Sequence, residues 1–375
     1  MKKLLYNIKY TGLLIAVSIT SFSCSEEEPV APEPTASFSV SSENVVVGEY
    51  ITLRNQTENG TAFEWSLGNG IISTETSPTY SYDKIGNYKI NMIAIGPGGR
   101  EKASQELQVT NPDIFYIDSG EEALQKVIYN DTIETVFLLP GFGRGLSYDP
   151  RNNRLYYPNE DSGEIIASNL DSSATELVVV PDFFLETYTV EVDTTNDKLY
   201  FADSFGYLYR SNLDGSNIEE LANPDDGLEF PTDLALDLVN GKVYLSDQGI
   251  GSTGYAADGI WVADLDGSNL EKVISGAGFA VAVDTRNDLL FYNDAFIKGN
   301  IRVAPLNDLD NVEDFAPLGS EGRSYGIEVF GSKVYWTDLG DDTGEGLIKR
   351  ANWDGTSVEV LVDELTEPRH LIVKK

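Results

Sequence analysis

The chain has 375 residues, with 26 Lys and Arg against 61 Asp and Glu and a formal net charge of −35. A surface this acidic repels phosphate backbones and anionic headgroups, so nucleic acid is excluded as a partner, while neutral or cationic ligands and metal ions stay open. Gly-punctuated segments rich in Tyr, Val and Ile, with no heptad run, predict an all-β chain long enough for two domains.

Residues 1–9 carry Lys2, Lys3 and Lys9 and no acid, and an apolar run from Gly12 to Phe22 follows. A bilayer span needs about 20 apolar residues, so this shorter run predicts a signal-peptide core within residues 1–23. It ends in Ser21-Phe22-Ser23-Cys24, which resembles a bacterial lipobox. The resemblance implies that Cys24 is the first mature residue and carries a lipid anchor that holds the chain at the outer membrane. Ser25-Glu26-Glu27-Glu28 resembles the surface-export signal of Bacteroidetes lipoproteins, which implies exposure on the cell surface. Residues 24–34 read as an acidic, Pro-rich, extended tether. Cys24 is the only cysteine, so no disulfide forms within the chain and burial alone must hold the fold.

Residues 35–110 alternate with period two between Gly, Asn and Ser turns. Ile51 and Leu53 share one face after a turn at Gly48, Trp65 lies mid-strand, and Lys89–Ile95 alternates. This predicts an Ig-like sandwich with Trp65 in its core. Two stretches carry a family resemblance. Trp65-Ser66-Leu67-Gly68-Asn69-Gly70 resembles the W-x-F-G-D-G turn of PKD domains, with Leu for Phe and Asn for Asp. Tyr80-Ser81-Tyr82, followed by Gly86-Asn87-Tyr88-Lys89-Ile90, resembles their H-x-Y…G-x-Y-x-V run. PKD modules are mostly spacers or low-affinity binders, and a spacer role is what the resemblance implies here.

Asn111-Pro112 breaks that pattern, and residues 111–375 repeat. The segments FYID (115–118), YYPN (156–159), YFAD (200–203), YLSD (244–247), FYND (291–294) and YWTD (335–338) recur at intervals of 41 to 47 residues. Each follows an apolar strand and a turn with Asn or Gly, and precedes a hairpin, with Asp214-Gly215, Asp266-Gly267 and Asp354-Gly355 at hairpin tips. The period fits four-stranded propeller blades. The first copy lacks its leading strand, and Pro368–Val373 supplies a surplus one, so the two ends together build blade one and close a six-bladed ring. The repeat resembles the YWTD propellers of the LDL receptor family (class B repeats) and their NHL-like bacterial relatives. The Asp ending each YWTD-like strand is expected to be structural, accepting backbone N–H bonds at the start of the next loop.

In such propellers the first strand of each blade lines the channel. One parity of these strands, running from Leu146, Val190, Leu234, Val281, Ile327 and Leu371, is the packing face. The other parity holds small residues suited to crowding at the axis, together with Glu191, Asp233, Glu328 and His370. Carboxylates and an imidazole converging on a channel make a candidate site for a divalent cation, Ca²⁺ or Mg²⁺, or a polar plug in which Asp233 and His370 pair through water. One position outward, the register places Arg144, Tyr188, Thr232, Phe279, Tyr325 and Arg369 at the channel mouth, with Arg323 nearby. Aromatic rings stack on sugar or peptide faces, and Arg forks grip carboxylates. The Asp-rich stretches Asp338–Glu345 and Asp247…Asp258 lack EF-hand spacing and read as solvated loops.

Three readings of function follow. The preferred one is a surface lipoprotein that binds an extracellular glycan or protein at the mouth; YWTD propellers are known mainly for protein ligands. The second is a metal-dependent hydrolase. Six-bladed propellers of the gluconolactonase type hold a divalent metal through Glu, Asn and Asp, and Glu191, Asp233 and Glu328 echo part of that set, without a matching Asn pair and with an added His. The third is a scaffold within an outer-membrane complex.

Overall fold

The computed structural model describes residues 30–375 apart from 130–131, 140–143, 160, 180–185, 251–257, 277, 295–298, 320–321 and 341–344. The signal segment 1–23, Cys24 and the acidic run after it lie outside the described residues, as do Asp341 and Asp342. Among the described residues all regular structure is β, apart from one short 3₁₀ turn at Pro224–Asp226.

The first domain is a sandwich. Phe38–Val40, Ile51–Asn55 and Thr79–Tyr80 form one sheet. Val45–Val46, Gly99–Thr110, Gly86–Gly96, Ala62–Ser66 and Ile72–Ser73 form the other, in that spatial order. Trp65, Leu67, Tyr82, Ile51 and Leu53 meet between the sheets. The polar ends of the two large aromatics are satisfied: Trp65 Nε1 donates to the Glu75 carbonyl (2.9 Å) and Tyr82 Oη to that of Leu67 (2.8 Å). Gly68 has a positive φ, and a Cβ there would lie 2.8 Å from the Lys89 amide, which accounts for glycine after Leu67.

The second domain is a ring of six four-stranded antiparallel blades. The innermost strands are Pro368–Lys374 in blade one, then Ser147–Asp149, Thr187–Asp193, Pro231–Asp237, Val281–Asp284 and Ile327–Phe330 in blades two to six. Pro368–Lys374 pairs with Asp113–Asp118, so blade one takes its strands from both ends of the domain. Six apolar clusters fill the six spaces between neighbouring blades. Each YWTD-like strand is therefore packed on both faces: Tyr335 points into the cluster shared with blade one and Trp336 into that shared with blade five. A strand buried on both sides reads as a continuous apolar run, which is why these segments stand out in the sequence. At the axis the inner strands nearly touch. A Cβ on Gly145 would come within 2.7 Å of Thr189 Cα, and one on Gly326 within 2.8 Å of His370 Cα.

Blades two to five close their first turn with a repeated Asp-x-x-Asn device. Asp149, Asp193, Asp237 and Asp284 each accept the backbone N–H two residues on. Each also accepts the side-chain amide of the Asn at the fourth position, Asn152, Asn196, Asn240 or Asn287. Blade six reads Phe330-Gly331-Ser332-Lys333 instead, and the sandwich domain docks there. The Ser332 N–H donates to the Gly48 carbonyl (2.8 Å), Ser81 Oγ and Ser332 Oγ are 2.9 Å apart, and Lys333, 1% exposed, reaches Asp83 (3.1 Å) and Asn352. On either side Arg286 stacks on the Tyr50 ring (3.9 Å), and Lys375 pairs with Glu49 (3.0 Å). The sandwich thus sits against the face where the inner strands end, the lower face, rather than being held away from the ring.

A Cβ at residue 331, where φ is +60°, would lie 2.0 Å from the Gly48 carbonyl oxygen. Gly331→Ala should therefore undock the sandwich while both domains stay folded. Calorimetry is expected to show the transition of the wild type split in two, and a single unsplit transition would count against this contact as the seat of docking.

Candidate functional site

The upper end of the channel, where the inner strands begin, gathers the mouth residues. Arg144 lies over the Tyr188 ring (4.4 Å), and Tyr188 meets Phe230 edge to face (4.9 Å). On the other side Phe279 packs on Tyr325 (4.9 Å) and Arg369 lies over the Tyr325 ring (3.9 Å). Arg144, Phe230, Phe279 and Tyr325 are half-buried, Tyr188, Thr232 and Arg369 are buried, and Arg323 is exposed.

Local irregularity puts these side chains there. The inner-strand register slips between Thr187 and Thr189, between Pro231 and Asp233, and between Pro368 and Leu371. The extra residues are Tyr188, Thr232 and one of the Arg369–His370 pair. Such a bulge bends the strand and re-aims a side chain that regular pleating would send elsewhere. Thr232 spends its hydroxyl on the Ser246 carbonyl (3.0 Å) and supports the wall. In blade four the mouth aromatic is instead Phe230, which the register count misses because it stands two residues earlier. Arg369 donates from Nε to Ser119 Oγ (2.9 Å) and pairs with Glu367, while its buried Nη1 has no hydrogen-bond partner among the described residues.

The Asp at the end of the YWTD-like strand holds the segment that enters the same blade. Asp118 accepts the Glu367 N–H (3.2 Å), Asp247 those of Glu229 (2.8 Å) and Phe230 (3.0 Å), and Asp338 that of Gly319 (3.1 Å). These carboxylates are structural, and through Glu367 and Phe230 they fix two parts of the mouth. Burial pushes Asp247 up to about 6 against the backbone N–H bonds that it accepts.

Below the mouth Asp233 ties the axis together. It accepts the N–H of Val281 from blade five (3.0 Å), the hydroxyl of Thr189 from blade three (3.3 Å) and its own neighbour's Leu234 N–H (2.9 Å). His370 Nε2 from blade one stands 3.5 Å from the same carboxylate. Burial pulls the imidazole down, but the Asp233 carboxylate outweighs it and the net shift is upward. Asp233 and His370 thus stand within direct reach of each other. Glu191 and Glu328 come from blades three and six and line, with His370, a cavity of about 420 Å³ that runs on toward Tyr148, Phe330 and Lys374 at the lower face. Burial, the Glu328 charge and Asp233 push Glu191 up to about 8 despite His370, and burial and Asp233 push Glu328 up to about 8.

Of the four channel residues expected to hold a divalent cation, the structure brings Asp233 and His370 together and sets Glu191 and Glu328 with His370 on one cavity. Among the described residues no three His, Cys, Asp or Glu side chains come together as a metal site. The two oxygens of Asp233 are engaged by donors from three blades and by His370. Glu191 and Glu328 are left as carboxyl groups facing a cavity.

Residues 29–109 match the family model of the PKD domain. Among curated proteins the chain is similar to protein cueball of Drosophila sechellia, 27% identical over 157 residues, covering 40% of this chain and 23% of that protein. It is also similar to the pre-pro-metalloprotease PrtV of Vibrio cholerae, 31% identical over 81 residues, covering 21% of this chain and 9% of the protease. The chain spans less than a third of the length of the curated relatives it matches. Among solved structures it resembles a chain of a nidogen/laminin complex, with TM-score 0.60 and 14% identity over 71% of this chain and 99% of that one. TolB from Acinetobacter baumannii gives TM-score 0.56 at 12% identity over 78% and 80% of the two chains. A Bacteroides thetaiotaomicron protein of unknown function gives 0.54 at 12% identity over 90% and 92%. At these identities the structural likenesses show the fold: a PKD sandwich followed by a propeller.

The two channel glutamates set a pH dependence. Folding raises each from an ordinary value of 4.5 to about 8, so the folded state holds protons that the unfolded chain releases. Their contribution to stability is complete below about pH 4.5 and is lost as pH rises to and through about 8. The double variant Glu191→Gln/Glu328→Gln should flatten the fall in melting temperature between pH 6 and 9. A slope equal to that of the wild type would mean that the two groups do not titrate in that window.

Proposed function

We propose that this chain is a surface-anchored binding protein that takes an extracellular glycan or protein at the mouth of its propeller. The observation that carries the reading is the ring of paired cations and aromatics there. In a chain with 26 basic and 61 acidic residues, three Arg gather at one end of one channel, and two of them lie on Tyr rings. Half-buried aromatics and arginines in a concave site are the residue types that dominate binding energy. The PKD sandwich occupies the opposite face and leaves the mouth uncovered, an arrangement suited to presenting the mouth away from the point of attachment. The lipobox-like Ser21–Cys24 and the acidic run after it support attachment at the outer membrane and export to the cell surface, where an outer-membrane complex is a natural neighbour.

Full-length chain in detergent micelles, screened on glycan and peptide arrays, tests the binding reading. Tyr325→Ala and Arg144→Ala are each expected to weaken a captured ligand by roughly tenfold or more, the scale of an interface residue worth about 1–2 kcal/mol. Unchanged affinity in both would move the site off the mouth. Anchoring is tested separately: Cys24→Ser should abolish incorporation of labelled palmitate and release the chain from the membrane fraction, and labelling that persists would refute the anchor.

A further inference from the structure

The mouth is not uniform around its circumference. In ring order from blade one the half-buried or buried side chains are Arg369, Arg144, Tyr188, Phe230, Phe279 and Tyr325. Blades one and four, two and five, and three and six stand opposite each other in a six-bladed ring. Arg369 therefore faces Phe230, Arg144 faces Phe279, and Tyr188 faces Tyr325. Two stacks, Arg144–Tyr188–Phe230 and Arg369–Tyr325–Phe279, run round the two sides from a cationic pole to an apolar one. Building on the reading of the mouth as the ligand site, we propose that it receives a peptide segment bearing one carboxylate beside one apolar side chain. The carboxylate seats at the Arg144–Arg369 pole and the apolar group lies against Phe230 and Phe279.

Three observations favour this ligand. First, the buried Nη1 of Arg369 has no acceptor among the described residues, while Nε and Nη2 are held by Ser119 and Glu367. A buried guanidinium donor left without an acceptor is costly, and a ligand oxygen relieves that cost. The Tyr325 ring and the two bonds fix the guanidinium, so little side-chain entropy is lost on binding. Second, among the described residues of the mouth the Thr232 hydroxyl is turned to the Ser246 carbonyl, and the other named side chains are guanidinium and aromatic, which suits a carboxylate beside an apolar group. Third, the net charge of −35 surrounds this small cationic pole. One carboxylate gains a short-range contact there, while a run of acids, in a polyuronate or an acidic tail, meets repulsion from the rest of the surface.

The test is selection of random heptapeptides against the full-length chain in detergent micelles, followed by affinity measurement on synthetic winners. Winners are expected to carry a single Asp, Glu or terminal carboxylate next to an aromatic or aliphatic residue. Converting that acid to its amide should weaken binding at least tenfold, a change made in the peptide that leaves the protein untouched. Arg144→Ala should remove the preference for acid over amide, and Phe279→Ala the preference for the apolar neighbour, with melting temperatures recorded for both variants. An acid-free pool whose binding is still lost in Tyr325→Ala would overturn the polarity and keep the mouth as the site. A pool indifferent to every mouth variant, or no pool at all, would overturn both. A polyuronate oligosaccharide that binds at the mouth where no peptide does would overturn the peptide assignment.

Discussion

Everything described at the axis depends on one strand pairing, Pro368–Lys374 against Asp113–Asp118. It joins residues about 250 positions apart and gives blade one its innermost strand, so that the sixth blade packs against a complete first blade. It also delivers function-bearing side chains. Arg369 at the mouth, His370 opposite Asp233 and Lys375 against the PKD sandwich all ride on the closing strand or directly follow it. Closing the ring and furnishing the channel are one event, because the strand that completes the hydrogen-bond ladder is the strand that carries the mouth's cation and the chain's only histidine.

With the ring closed, crowding decides the rest. Inner strands that approach until a Cβ would clash leave room only for Gly145 and Gly326 at two positions, and polar groups trapped there must be satisfied by protein. Asp233 meets that demand by gathering donors from neighbouring blades. Glu191 and Glu328 open onto a cavity instead and hold their protons to about pH 8. The same crowding engages the best-placed carboxylate, Asp233, from three blades at once.

Much of this was legible in the sequence, for reasons that differ by element. The blades announce themselves because a strand buried on both faces must be apolar throughout, as in Val334-Tyr335-Trp336, and because a fixed period repeats it. The packing parity of the inner strands was legible because it recurs six times. The PKD sandwich was legible in Trp65, Gly68 and Tyr82, whose positions serve one turn and one core. What stayed hidden was local irregularity. The slips at Tyr188, Thr232 and Arg369 displace side chains without changing the hydrophobic pattern, so the register count put Thr232 in the ring and overlooked Phe230. Long-range pairing was visible only in part: the register set Asp233 and His370 opposite each other, but nothing near Asp233 in the sequence says that the Val281 N–H will meet it. The docking of the sandwich was half visible, for blade six departs from the Asp-x-x-Asn turn that blades two to five share.

That departure has a mechanical consequence. A sandwich linked only through Asn111 and Pro112 would pass any pull from residue 30 straight into the strand Asp113–Asp118, peeling it from its closing partner one hydrogen bond at a time. Here the sandwich grips blades five, six and one through Tyr50, Gly48, Asp83 and Glu49. Tension applied to the sandwich is thus spread over three blades before it reaches the seam, which unloads the pairing of Pro368–Lys374 with Asp113–Asp118.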